Sequence, residues 1–136
     1  MKKKTNIRKT EVPILNDEYF VYVFIGNREE LLSACTQHIK KLIDDKDTIS
    51  EYQASLHKFV DGRGFCMYFR NPLLNPMIGV NTEVCKNTGT PYEATLAHEA
   101  VHAVEDICQM IGQPFADEFA AHSVGAIVKH GIRCVK

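Results

Sequence analysis

The spacing of apolar side chains changes several times along the chain, and each change predicts an element. Residues 19–25 are a run of aromatic and β-branched side chains that stops at Gly26, a pattern typical of a buried strand. From residue 28 to residue 45 the apolar positions recur at helical spacing between charged residues, which predicts an amphipathic helix. The apolar positions of that helix are Leu31, Leu32, Cys35, Ile39, Leu42 and Ile43.

The middle of the chain has the composition of a sheet. Two runs of apolar and aromatic residues, 56–60 and 65–69, flank a glycine-rich turn sequence, and this arrangement predicts a β-hairpin. Residues 77–81 predict a further short strand. Residues 47–55 fit a helix and a strand equally well.

Two helices are predicted after the sheet. Residues 90–93 have the pattern of a capping box with a proline at the first helical position, so a helix is expected to begin near Pro91. Its helical pattern ends at Gly112, a residue that commonly terminates helices. Pro114 is expected to open a second helix that ends near Gly131.

In chain order, these elements predict one α+β domain, in which a small sheet packs on an amphipathic helix and two further helices follow. The chain has 136 residues, 45% of them hydrophobic and 24% charged, which suffices for one hydrophobic core. We place that domain at residues 17–136. Residues 1–16 carry five basic side chains within nine positions and are expected to form a flexible basic tail.

Charge and cysteine content limit the classes of partner. The formal net charge is -1, so no overall basic field favours binding to nucleic acid. No apolar run approaches the ~20 residues of a membrane-spanning helix, and we expect no membrane association. The five cysteines are an odd number without a CxxC pair, which predicts free thiols and a cytoplasmic location.

The residues with the clearest chemistry form an HExxH motif from His98 to His102, within the helix that begins near Pro91. Residues four apart lie on the same face of a helix, so the two imidazoles can share a tetrahedral zinc ion. Glu99 lies at the edge of that face, where its carboxylate can act as general base toward a zinc-activated water. In a chain of this composition the motif arises by chance about 0.02 times, which favours a metal site over two surface histidines.

Zinc needs a third protein ligand, and a catalytic site leaves the fourth position open. Glu118, on the second helix, is the strongest candidate because the turn at residues 112–114 allows that helix to fold back. His122 lies one turn further along the same face, as an alternative ligand or as a hydrogen-bond partner of Glu118, the water or the oxyanion. Asp117 lies about 100° around the helix and fits less well. An exposed glutamate stabilised by the helix dipole is the competing interpretation of Glu118.

The HExxH motif, followed on the next helix by the sequence from Asp117 to Ala121, resembles the gluzincin type of zincin metallopeptidases. In compactness the chain is similar to the small ImmA/IrrE-like proteins, and the match covers residues 90–124. The resemblance implies a zincin-like fold with one Zn²⁺ ion per chain. Larger gluzincins often place an aspartate four residues after the ligand glutamate, where this chain has a histidine. The resemblance implies that His98, His102 and Glu118 are the metal ligands. It implies that Glu99 is the general base.

We therefore expect a zinc-dependent metallopeptidase that acts on a protein or peptide, bound as an added strand, with residues 65–69 as a candidate edge. A zinc-stabilised protein-binding module without peptidase activity is the alternative, and a hydrolase of small-molecule amides is a third. Glu105 and Asp106 are candidates for orienting an imidazole. Candidate oxyanion donors, among which the sequence does not choose, are Tyr68, Tyr92, His57 and His130.

Overall fold

The computed structural model describes residues 7–14, 18–70, 73–112 and 118–135. In these residues four strands form one mixed sheet accompanied by five helices, which confirms the predicted α+β class. The elements in chain order are β1 (Arg8–Ile14), β2 (Tyr19–Gly26), α1 (Arg28–Leu42), α2 (Lys46–Phe59), β3 (Gly64–Arg70), β4 (Leu73–Asn81), α3 (Thr82–Asn87), α4 (Tyr92–Ile111) and α5 (Glu118–Val135).

The sheet has the strand order β1-β2-β4-β3, so β1 and β3 are its edges. The β1–β2 and β3–β4 pairs are antiparallel, whereas β2 and β4 run parallel. The parallel pair requires a long crossover, and α1, α2 and β3 supply it. The last two helices follow β4, which brings the motif-bearing helix α4 back over the sheet.

The sheet separates two hydrophobic cores. Along β2, Val21, Val23 and Ile25 belong to the core beneath α4 and α5, whereas Tyr22 and Phe24 belong to the core beneath α1 and α2. This division follows from the period of two along a strand, which turns alternate side chains to opposite faces. The aromatic and β-branched run predicted as a buried strand is therefore buried because both faces are covered.

Helix α1 begins where the sequence predicts it and ends at Leu42, three residues before the expected limit. Its start is held by a reciprocal pair of hydrogen bonds, since Asn27 Oδ1 accepts from Glu30 N at 2.9 Å and Glu30 Oε1 accepts from Asn27 N at 3.0 Å. This capping box satisfies two backbone donors that the helix geometry leaves without partners.

The predicted hairpin is wrong in its first strand, because residues 56–60 lie at the end of helix α2 rather than in a strand. The helix starts at Lys46 and is capped by Asp45, whose carboxylate accepts from Thr48 N at 2.9 Å and from Thr48 Oγ1 at 2.6 Å. From this cap, Tyr52 and Leu56 fall four residues apart and pack into the core beneath the sheet. Residues 47–55, which fit a helix and a strand equally well from the sequence, are helical because they follow the same cap.

Two strands extend beyond the prediction. Residues 8–14, which belong to the expected tail, form β1, pair with β2 and bury Val12 completely. Strand β4 begins at Leu73 and contains Pro76, which lacks the backbone donor that a regular ladder needs. The strand accommodates this proline at an irregularity of the β3–β4 register, between Met67 and Phe69.

Helix α4 has the predicted limits but not the predicted cap. Pro91 is the N-cap residue and no side chain caps the helix. The Thr90 hydroxyl instead accepts a hydrogen bond from Arg63 Nη1 at 3.0 Å, which ties the start of α4 to the turn before β3. The helix ends at Gly112, whose φ of 69° is the left-handed conformation that glycine adopts without strain.

Helix α5 is described from Glu118, so the start predicted at Pro114 lies outside the described residues. The helix passes through Gly131, its predicted end, and continues to Val135. Gly131 is buried against Leu96 near the start of α4, so the two helices run antiparallel. In the described residues no helix is long and apolar enough to cross a membrane.

Helix α4 packs closely on the sheet at Gly64, the first residue of β3. A methyl group on Gly64 would lie 2.5 Å from Thr95 Cγ2 and 3.3 Å from Glu99 Cγ, both on α4. It would also lie 3.1 Å from the backbone oxygen of Gly79 on the neighbouring strand, which has little freedom to move. Glycine at this position therefore sets the distance between α4 and β3.

We expect Gly64→Ala to destabilise the protein by about 1–3 kcal/mol, since an extra methyl in a well-packed interface forces its neighbours apart. Gly62→Ala is the matched control, because an added methyl there meets its nearest atom, a backbone oxygen, at 3.6 Å. Urea unfolding of the two variants measures the difference. Equal unfolding free energies for both variants would contradict the close packing at Gly64.

Candidate metal centre

The two histidines of the HExxH motif lie side by side on the outer face of α4. Their Nε2 atoms are 3.3 Å apart, and the ring centroids are 4.9 Å apart with an interplanar angle of 76°. His98 is exposed and His102 is half-buried, so both rings border solvent. The helical spacing of the motif thus produces the paired imidazoles that the sequence predicts.

The separation of the two nitrogen atoms fits zinc. Two nitrogen ligands at 2.0–2.1 Å from a tetrahedral ion lie about 3.3–3.4 Å from each other. The observed Nε2–Nε2 distance is 3.3 Å. His98, Glu99 and His102 also place one ligand atom each within 4.8 Å of the other two. This donor set is one that zinc accepts.

The carboxylate of Glu99 is buried directly beside the pair. The residue is 6% exposed, and in the described part of the protein its Oε2 atom has no hydrogen-bond partner. Burial raises the pKa of the Glu99 carboxyl, and the adjacent imidazoles of His98 and His102 partly oppose that rise. A buried oxygen without a hydrogen-bond partner destabilises the folded protein. A group bound at the histidines would give Glu99 Oε2 the contact that it lacks.

Strand β3 forms the wall opposite Glu99. Its alternate residues Gly64, Cys66, Tyr68 and Arg70 face α4, as the period of two along a strand requires. Burial, together with the nearby carboxylates of Glu99 and Asp106, raises the pKa of the Cys66 thiol. Cys66 is therefore held protonated beside the centre. This contact could not be predicted from the sequence, because the hairpin pattern leaves open which face β3 presents to α4.

A buried ion pair fixes the far end of the β3–α4 interface. Asp106, whose side chain is 1% exposed, pairs with the half-exposed guanidinium of Arg70. The backbone N–H of Arg70 donates to the Tyr52 hydroxyl at 3.2 Å, which links the pair to α2. Removing Arg70 would leave the buried carboxylate of Asp106 without compensation. Asp106, one of two candidates for orienting an imidazole, is thus engaged with the sheet instead.

Glu105 is the acid that lies next to a histidine of the motif. One of its carboxylate oxygens lies 4.0 Å from Nδ1 of His102. A carboxylate on that side of the ring favours the tautomer with the proton on Nδ1, and this leaves the Nε2 lone pair available for a metal. The two residues are partly exposed, so solvent weakens the interaction.

The structure does not bring Glu118 or His122 to the paired histidines. The Glu118 carboxylate lies 3.9 Å from His122 Nε2, and the two side chains are 93% and 85% exposed. The buried stripe of α5 includes Ala120, and each of the two residues lies about 160° around the helix from it. Both side chains consequently face solvent on the outer side of α5.

The position of α5 adds to this separation. Leu96, the α4 residue that contacts Gly131 of α5, lies two positions before His98 and thus about 160° around α4 from it. Helix α5 therefore packs on the side of α4 away from the paired imidazoles. The assignment of Glu118 as third ligand stays a prediction, and it requires an orientation of α5 different from this one.

The candidate oxyanion donors are distributed over the molecule. Tyr68 is on β3 and near Cys66, on the wall that faces Glu99. His57 is on α2, on the opposite side of the sheet from α4. Tyr92 is the first residue of α4 and His130 is near the end of α5. Of the four, Tyr68 is the one whose strand borders the centre.

Comparison of the chain with protein-family models, with curated proteins and with solved structures found no match. The chemistry of the centre consequently rests on the geometry of its own residues.

We expect Glu105→Gln to weaken zinc binding by about 10-fold, near the lower end of the range for a group that orients a metal-binding histidine. The amide keeps the size of the side chain but removes the charge that favours the Nδ1 proton of His102. Glu93→Gln, which makes the same change in the first turn of α4, is the control. Competition with a chromophoric chelator measures the affinity, and equal affinities in the two variants would exclude this role for Glu105.

Proposed function

We propose that the protein is a zinc-dependent hydrolase of peptide bonds. The proposal rests chiefly on one observation, the paired Nε2 atoms of His98 and His102 at 3.3 Å beside a buried carboxylate oxygen that has no partner among the described residues. A pair of metal-binding imidazoles next to a general base is the arrangement that metal-assisted hydrolysis needs. The resemblance of the HExxH helix to those of zincin metallopeptidases supports the same activity.

The two imidazoles would hold a metal ion through Nε2. A zinc ion there would supply Lewis acidity, which lowers the pKa of a water molecule from ~15.7 to about 7. Glu99 would act as general base toward the attacking water and as general acid toward the leaving nitrogen. The buried position of Glu99 holds the carboxylate at a fixed distance from the histidines, which favours the transfer.

Strand β3 offers a site for the peptide. It is an edge of the sheet, so the backbone groups on its outer side are available to pair with another extended chain. Its residues from Gly64 to Arg70 run alongside α4, from Glu99 to Asp106. A peptide added to this edge would pass the paired histidines with its backbone extended, and the main-chain hydrogen bonds would provide affinity without strong sequence preference.

The remaining positions around the metal are open to Glu118, to water and to the substrate. Glu118 is the family-based candidate for the third ligand and would lower the net charge of the site more than a third neutral imidazole. Its exposed location in this structure favours a weakly held metal unless α5 reorients. The exposed location of Glu118 also favours a second candidate function. In that function the protein is a zinc-dependent binding module that uses the β3 edge without hydrolysing the peptide.

Glu99→Gln is expected to retain zinc and fold while peptide hydrolysis falls by at least ~100-fold, the usual effect of losing a general base. His98→Ala is expected to lose both zinc and hydrolysis. Zinc is measured by elemental analysis, and hydrolysis by mass spectrometry of an unfolded protein incubated with each zinc-loaded variant. The wild-type protein should contain about one zinc ion per chain.

The outcomes separate the two functions. Zinc in the wild-type protein without any cleavage would contradict the hydrolase and favour the binding module. Cleavage that persists in Glu99→Gln would mean that the base is another group. Loss of zinc from Glu99→Gln would make the glutamate a ligand instead of the base.

A further inference from the structure

Strand β1 forms the edge of the sheet opposite to β3. It pairs with β2 on one side, and within the described ranges no strand pairs with its other side. A groove of about 750 Å³ lies between β1 and α1, so the helix does not cover the strand. An edge strand presents a row of backbone donors and acceptors that can pair with another extended chain. The side chains of β1 indicate which chain fits this edge.

The exposed side chains of β1 differ in charge along the strand. Lys9, Glu11 and Pro13 project from the same face of the sheet, because residues two apart on a strand share a face. All three are exposed. Neither Lys9 nor Glu11 forms an ion pair with a residue in the described ranges. Each of the two side chains is therefore available to a charge of opposite sign.

A second copy of β1 complements this pattern when the two strands run antiparallel about a two-fold axis at Thr10. In that register Lys9 of each copy is opposite Glu11 of the other copy, which gives two cross-strand ion pairs. Thr10 is opposite its own counterpart on the other face of the sheet, a pairing that stabilises sheets. A two-fold axis at Lys9 or at Glu11 would instead place like charges opposite each other. The order of charges thus selects one register.

Pro13 is compatible with the same register. Proline has no backbone donor, so in the middle of a paired segment it would weaken the ladder. With the axis at Thr10, Pro13 is opposite Ile7, at the end of the paired segment. The hydrogen bonds around Thr10, in the centre of the pair, are therefore unaffected by the proline.

We propose that the protein forms a two-fold symmetric dimer through β1, in which the sheets of the two copies join into one continuous sheet. Backbone hydrogen bonds between the edges supply the affinity, and the two ion pairs between Lys9 and Glu11 fix the register. Because β1 and β3 are opposite edges, the dimer leaves β3 and the metal centre open. The dimer depends neither on zinc nor on hydrolysis.

Exchange of the two charges tests the register. Lys9→Glu gives each strand two carboxylates, and Glu11→Lys gives each strand two ammonium groups, so each variant repels its own second copy. We expect the dissociation constant of the dimer to rise at least about 10-fold in each variant, because two attractive cross-strand pairs become repulsive. An equimolar mixture of the two variants restores both ion pairs and should dimerise like the wild-type protein. The double variant Lys9→Glu/Glu11→Lys should do the same.

Sedimentation velocity over a series of protein concentrations measures the dissociation constants. Lys40→Glu, the same charge change at an exposed position of α1, is the control and should stay within about 2-fold of the wild-type protein. Each variant must retain the wild-type circular dichroism spectrum, and if one single variant does not fold, the other one and the double variant give the same comparison. A wild-type protein that stays monomeric at every concentration, equal effects of Lys9→Glu and Lys40→Glu, or a double variant that fails to dimerise would each overturn the proposal.

Discussion

The close packing of α4 on β3 is the constraint on which the metal centre depends. It is possible because Gly64 has no side chain where Thr95 and Glu99 cross the strand. A larger residue there would push the helix outward and expose Glu99 to water. With the helix in place, the same rotation that buries the glutamate turns His98 and His102 to the outer face, so the base and the metal-binding edge have fixed positions relative to each other.

Two acids, Asp106 and Glu99, are buried in this interface, and their charges are compensated differently. Asp106 is neutralised by Arg70 and contributes to holding α4 on the sheet. Glu99 is buried without a cation of its own. Its Oε2 atom and both carboxylate oxygens of Asp106 lack a hydrogen bond among the described residues, so the two acids differ in the Arg70 ion pair alone. An unpaired buried carboxylate costs stability, and such costs are concentrated at functional sites. The difference assigns Asp106 to structure and makes Glu99 the reactive group of our proposal.

The sequence predicted those features that depend on local spacing. Strand β2, helix α1 and the limits of α4 follow from periodicity and terminating glycines, and the pairing of the two imidazoles follows from their four-residue separation. Helix α2 was left open between helix and strand over residues 47–55 and was predicted as a strand over residues 56–60, because its apolar positions fit both and its cap is the single residue Asp45. The contacts of Glu99 with β3, and the outward orientation of Glu118, depend on how helices pack, which no local pattern encodes.

X-ray absorption at the zinc edge of the zinc-loaded protein reports which atoms surround the metal. If His98 and His102 hold the zinc, we expect two imidazole nitrogen atoms at about 2.0–2.1 Å, with oxygen atoms in the remaining positions, and loss of the imidazole signal in the double variant His98→Ala/His102→Ala. A sulfur neighbour at about 2.3 Å, or an imidazole signal that persists in the double variant, would place the metal at other residues and exclude the paired histidines as its ligands.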